Sequence, residues 1–337
     1  MAEASDSEVR ARFEELAVLE AEFEDVELEI IRKSNALNVP LWKKRADIVA
    51  KIPHFWTLVF EQVPPELENF LQPSDSKVFG ALQTVEVSRF EIDDPKGSPR
   101  SFSIKFGFGD NEYFENKELE KKFWYRVAKD GWEGHVSEAV KINWKKGKDL
   151  TEGLTDGAYE LAQARQKLGK GLSPSERTKK ESQLPEYKAL ASKIEESTEA
   201  SLSFFAWFGF VSSYRWISAE ESEQAHKEDA IRLEKLKRGE KPDDEEDEDM
   251  DLDIDLQETE VFPQGEVCAT LIAEDVWPSA LRYYKAAHEA DDEDLSELDV
   301  EDMDEDDDSD EEIDIRGLVG KGRKSEGSPP SKKQRKA

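Results

Sequence analysis

The chain has 337 residues, of which 79 are acidic and 47 basic, giving a formal net charge of −32. That balance repels DNA and anionic lipid in bulk and attracts basic proteins. One cysteine, Cys268, excludes an internal disulfide framework, and no window comes near the ~20 consecutive apolar residues of a membrane-spanning helix.

Residues 1–8 read as a disordered polar leader with no apolar signal segment. From there Val9, Phe13, Leu16, Leu19, Phe23, Val26 and Ile30 recur at steps of three and four, and Leu37 follows, with Ser34 at the position between. The spacing predicts a long helix over 9–52, kinked near Pro40. No later segment offers a matching stripe. Phe13, Leu16, Leu19, Phe23, Val26 and Ile30 are therefore expected to pair with the same helix of a second copy, as a coiled-coil homodimer, with Ser34 fixing register.

Pro53 ends this region, and Phe55, Trp56, Val59 and Phe60 begin another helix that Pro64 and Pro65 terminate. Four strands follow. Val85 and Val87 mark the first, and the opposite parity of Phe90 and Ile92 suggests a bulge. Phe102, Ile104, Phe106 and Phe108 mark the second, and Phe123, Tyr125 and Val127 the third. The fourth is expected at Val140, Ile142 and Trp144, after a loop over Asp130–His135. Short connections predict an antiparallel meander with one buried face.

After Asp149 the period is helical again. Tyr159–Leu168 reads as a helix, Gly169–Lys180 as a basic loop and Pro185–Ser197 as a polar helix or linker. Ser203–Trp216, densely aromatic, is expected to be the main core helix on the sheet. Ala219–Leu236 reads as a charged helix with no apolar face wide enough to dock well. Val276, Trp277, Leu281, Tyr283 and Tyr284 mark a closing amphipathic helix. Asp243–Asp255 and Asp291–Asp314 are nearly continuous acid, too polar to offset chain entropy and expected to be disordered.

No catalytic, cofactor or metal residue emerges. Gly107 and Gly109 give a G-x-G, but without the third glycine, and with Asp110 and Glu112 following, they read as a strand-end turn. The four histidines and Cys268 share no ligand spacing. Asp249, Asp251, Asp253, Asp255 and Glu260 echo a calcium loop, but Ile254 stands where the turn needs glycine, which leaves a solvated acid run. Lys145, Lys146 and Lys148 beside Trp144 could touch phosphates of chromatin DNA. Lys332, Lys333, Arg335 and Lys336 after Pro329 and Pro330 read as a nuclear import signal.

Five segments taken in order carry a resemblance: Lys51-Ile52-Pro53-His54-Phe55-Trp56, Asn111-Glu112-Tyr113-Phe114-Glu115-Asn116-Lys117, Trp144-Lys145-Lys146-Gly147-Lys148-Asp149-Leu150-Thr151, Ser203-Phe204-Phe205-Ala206-Trp207-Phe208, and Asp275-Val276-Trp277-Pro278 through Tyr283-Tyr284. With a long helix before them and an acidic tail after, they resemble the nucleosome assembly protein superfamily, SET (template-activating factor) branch. Glu112 departs from a usual proline, and Ser279-Ala280 from a usual Asn-Pro.

The resemblance implies an α+β fold: a long dimerisation helix plus an "earmuff" domain, a four-stranded antiparallel sheet backed by helices. On it the chain divides into an earmuff at 53–217 and 261–289, a charged insertion at 218–260, and a disordered acidic tail with a basic end at 290–337. It also implies a histone chaperone with no enzymatic activity and no cofactor, working in the nucleus and shuttling with the cytoplasm. The branch is further associated with inhibiting a protein phosphatase and with masking histone tails from an acetyltransferase. Rigidly held acids near the motifs, Glu115, Glu118, Asp149, Glu152, Glu274 and Asp275, are the expected contacts for core histones.

Overall fold

A computed structural model describes residues 6–168, 174–197, 203–212, 216–238 and 257–289. Helix α1, Asp6–Val49, runs 44 residues through Pro40 without a break, or about 66 Å. It starts earlier and stops sooner than the predicted 9–52. It also has two faces. Outward lie Phe13, Leu16, Leu19, Phe23, Val26, Ile30 and Leu37, all exposed. Inward lies a second stripe that the outer pattern conceals: Ala17, Val18, Ala21, Leu28, Ile31, Asn35, Asn38, Trp42, Arg45 and Val49.

Three short helices follow, α2 (Phe55–Glu61), α3 (Pro65–Glu68) and α4 (Ser76–Phe79). The sheet comprises β1 (Leu82–Ser88), β2 (Phe102–Phe108), β3 (Glu118–Val127) and β4 (Glu133–Ser137), antiparallel in the order β1-β2-β3-β4. The expected fourth strand is thus misplaced. Trp144 makes only an isolated bridge to Phe114, and β4 begins inside the predicted loop, sharing residues 133–135 with it. The register shift falls between Leu82 and Thr84, not at Phe90.

Beyond the sheet come α5 (Leu154–Lys167), α6 (Pro174–Glu181), α7 (Pro185–Glu196), α8 (Ala219–Lys237) and α9 (Gly265–Leu271), then a π turn at Ile272–Val276 and a last helix, α10, over 280–289. Part of the expected basic loop is therefore helical in α6. Pro174 stands at its start, where a missing N–H costs nothing.

The aromatic segment is the largest departure. Instead of an α-helix, Phe204–Gly209 forms a short 3-10 turn. The reason lies in its backbone partners. The fully buried Lys121 of β3 donates from Nζ to the carbonyls of Glu138 (2.9 Å), Phe208 (3.2 Å) and Phe210 (2.7 Å). Ser137 and Val140 donate their N–H groups to the carbonyls of Val211 and Phe208. These carbonyls face the sheet, so they cannot close helical rings. At the other end Asp75 accepts from the Ser203 hydroxyl (2.5 Å) and the Phe204 N–H (2.8 Å). Both charged anchors are shifted by burial, which pushes Asp75 up and Lys121 well below the ordinary lysine value.

Held this way, Phe204, Phe205, Trp207, Phe208 and Phe210 are sealed in the core. Phe106 meets the rings of Phe204, Trp207 and Phe208 with centroids 5.9–6.2 Å away. Gly265 is obligatory here, because a Cβ would stand 2.2 Å from the Phe210 ring.

Helix α8, read as undockable, packs against both α1 and β3. It does so through small side chains. Ala225 is buried, and Ser222 Oγ accepts the Val127 N–H at 3.0 Å. A capping box at Ser218 and Glu221 fixes its start. This part of the 218–260 insertion therefore belongs to the folded unit. The acid run within it and the tail lie outside the described residues.

Candidate functional site

Two features of the surface stand out, an apolar stripe and a set of carboxylates. On the outer face of α1, Phe13 is 66% exposed, Phe23 57% and Ile30 59%. A continuous apolar stripe of this length is not left in water by a stable protein. The inner face of the same helix is tied down. Arg45 lies between the rings of Trp42 and Trp277, 4.4 and 4.5 Å from their centroids, and donates to the Trp277 carbonyl at 2.7 Å. Burial pulls its pKa down to about 10. Farther along, Arg100 binds Glu24 (2.6 Å) and Glu27 (3.3 Å) of α1, and Lys237 of α8 lies 3.8 Å from Glu22. One face is thus spent within the chain and the other is not.

The six predicted acids fall in three places. Glu115, Asp149 and Glu152 lie on the loops beyond β2 and before α5. There the Glu115 N–H bonds the Asn143 carbonyl and Phe114 bridges Trp144. Glu118 opens β3, 3.9 Å from Lys105, which also lies 3.6 Å from Glu86. Glu274 and Asp275 sit on the π turn, with Glu274 3.8 Å from Arg89.

Not all six are available. Asp149 accepts from the N–H groups of Thr151 (2.7 Å) and Gly153 (2.8 Å) and from the Thr151 hydroxyl, which shapes the turn into α5. Asp275 accepts from Arg282 (2.9 Å) and the Tyr283 hydroxyl (2.5 Å). Glu115, Glu118, Glu152 and Glu274 stay exposed. Glu86 and Glu120, also exposed, share the outer sheet face with Glu118. The alternation of β1 and β3 carried that signal, since each occupies a polar parity position.

The lysine cluster is largely spent locally. Lys145 donates to the Asn111 carbonyl at 2.5 Å, and Lys148 binds Glu112 at 3.3 Å over the Tyr113 ring. Lys146 remains exposed. Lys332, Lys333, Arg335 and Lys336 lie outside the described residues. Among the described residues no group of His, Cys, Asp or Glu could hold a metal ion, and no helix is long and apolar enough to cross a membrane.

The model of the nucleosome assembly protein (NAP) family matches residues 49–287. The chain belongs to the nucleosome assembly protein family. This is a family of histone chaperones, not of enzymes. Protein SETSIP of Homo sapiens is 34% identical over 139 residues, 41% of this chain and 44% of that protein. Protein SET of Drosophila melanogaster is 34% identical over 134 residues, 39% of this chain and 48% of that protein. The chain spans 44–61% of the length of the curated relatives it first matches. Among solved structures, the crystal structure of Vps75 is 22% identical with a TM-score of 0.49, covering 82% of this chain and 98% of that one. The family-model match over 49–287 takes in the sheet, the aromatic turn and the π turn of this chain, and only the last residue of α1.

Proposed function

We propose that this NAP-family chain is a histone chaperone. It would act as a homodimer joined along the outer stripe of α1, binding core histones on exposed folded carboxylates. The observation that supports the reading is the acid excess, a net charge of −32, part of which the fold holds rigidly on Glu86, Glu115, Glu118, Glu120, Glu152 and Glu274. Rigid acids lose less entropy on binding than flexible ones do, and the acid excess of the whole chain steers encounter through solvent. Asp149 and Asp275, already bonded, shape the surface rather than contact the histone. Many screened contacts let the histone pass on to DNA.

The test is a titration of fluorescent core histones across salt, with wild type and with Glu115, Glu118, Glu152 and Glu274 changed to lysine. Weaker binding and a shallower salt dependence in the variant are expected. Unchanged affinity at every salt concentration would sink the reading. The chaperone would act in the nucleus, entering through Lys332, Lys333, Arg335 and Lys336. Alanine at all four should move a fluorescent fusion toward the cytoplasm, and unchanged nuclear accumulation would refute that role.

A further inference from the structure

Between the C-terminal half of α1 and the edge strand β1 runs a groove of about 730 Å³. Part of its lining is apolar, with Trp42, Trp56, Val85 and Trp277. Four cations also line it, Lys43, Arg45, Arg89 and Lys105, against two carboxylates, Glu86 and Glu118. The groove is thus cationic in a chain whose net charge is −32.

The four cations are not equally engaged. Lys105 lies between Glu86 and Glu118, at 3.6 and 3.9 Å. Arg89 donates to the Pro99 and Arg100 carbonyls and lies 3.8 Å from Glu274. Lys43, which is exposed, and Arg45, which is half-buried, have no carboxylate partner among the described residues. Arg45 uses one nitrogen, Nη1, which donates to the carbonyls of Trp277 (2.7 Å) and Pro278 (3.2 Å). The rings of Trp42 and Trp277 hold the guanidinium between them. Its Nε and Nη2 groups are without a partner among the described residues, and that edge of a guanidinium takes a carboxylate through two parallel bonds. A half-buried cation held by neutral carbonyls alone lacks the counterion that its desolvation calls for. On the same wall, the half-buried Asn35 amide also has no partner among the described residues.

We propose that this groove takes an acidic peptide of a partner protein, with one carboxylate on the open edge of Arg45, a second beside Lys43, and an apolar side chain against the indole rings. The charge of the α1 wall selects an acidic occupant. Glu86 and Glu118 on the sheet wall repel its carboxylates and so turn them toward α1. The apolar part of the lining favours a peptide, which brings apolar side chains, over a chain of phosphates. The inference goes beyond the histone reading, because histones are basic. It gives the chain a second class of partner, recognised by the few cations that its fold leaves uncompensated.

The test uses the full chain and a fluorescein-labelled peptide of glutamates with two spaced leucines, followed by anisotropy. The same peptide with glutamine in place of glutamate controls for charge. Lys43→Glu reverses a cation of the groove, and Arg45→Lys keeps the charge but loses the fork. Lys77→Glu makes the same charge change at an exposed lysine of α4. The glutamate peptide is expected to bind, and each groove variant to weaken it about tenfold. The glutamine peptide should bind at least about tenfold more weakly, Lys77→Glu should leave peptide affinity unchanged, and every variant should still bind core histones. Lys43 is exposed, so its variant carries the test even if Arg45→Lys disturbs the fold.

No binding of the glutamate peptide, or equal binding of the two peptides, would overturn the proposal, and normal histone binding beside it would leave the chaperone reading standing. Equal weakening by Lys43→Glu and Lys77→Glu would reduce the effect to net charge and overturn the groove as its site. If a single-stranded oligonucleotide displaces the labelled peptide at lower concentration than the unlabelled peptide does, the groove serves phosphates and the assignment to an acidic peptide fails. If Lys43→Glu changes the dimer fraction by light scattering and not peptide affinity, the groove seats a second copy, and the proposal fails.

Discussion

The outer face of α1 and the segment 203–212 are both rich in large apolar side chains, and they end in opposite situations. Phe13, Phe23 and Ile30 stand in water, while Phe204, Phe205, Trp207, Phe208 and Phe210 are sealed. On α1 the backbone satisfies itself, so the stripe is free to serve something outside the chain. In 203–212 the backbone is satisfied by Lys121, Asp75 and the sheet edge, so the chain abandons the helix and points every ring inward. Side-chain periodicity describes the first case well. It fails in the second, because the deciding partners are polar groups far away in sequence.

The sharpest way to break this contrast is at Lys121. Lys121→Met would leave the Glu138 and Phe210 carbonyls without their donor, Phe208 keeping the Val140 N–H, and such losses cost about 1–3 kcal/mol each. Denaturant unfolding should show a destabilisation of that order with dimerisation untouched. A change under about 1 kcal/mol would mean that Lys121 does not hold the turn. The same residue makes a pH prediction. Burial lowers its folded pKa, so between that value and the ordinary lysine value the unfolded chain binds more protons, and stability rises with pH. Lys121→Met should remove that rise, and an identical slope in the variant would refute the assignment.

Asp75→Ala attacks the other end of the turn and leaves the Ser203 hydroxyl and the Phe204 N–H without their acceptor. The expected cost is about 1–3 kcal/mol, read as a lower denaturation midpoint. Ser218→Ala, which dismantles the capping box of α8, should cost about 1 kcal/mol. Hydrogen exchange in 219–237 should rise, with the sheet amides unaffected. Uniform protection across α8 in the variant would mean that packing on α1 and β3 alone holds the helix.

Much of the fold was legible. Strict alternation at Phe102–Phe108 gave β2, and the proline and charge breaks gave the helix boundaries of α2 and α7. What escaped has identifiable physical causes. β4 is short, and its inward residues Ser137 and His135 are polar, so Val140 and Ile142 looked like the better strand. Helix α8 docks through Ser222 and Ala225, too small to register as an apolar face. Of the acids, sequence supplied identity but not occupancy. Nothing local shows that Asp149 is consumed by the Thr151 turn, or Asp275 by Arg282 and Tyr283, while Glu86 and Glu120 were available in the strand parity and passed over.

The division of α1 into a spent inner face and a free outer face is tested most directly by multi-angle light scattering of the full chain against Phe23→Glu with Val26→Glu. The account predicts a dimeric wild type and a monomeric variant whose circular dichroism and unfolding of the sheet domain are retained. A variant that remains a soluble dimer would contradict it, because the outer stripe would then not be the surface that joins two copies.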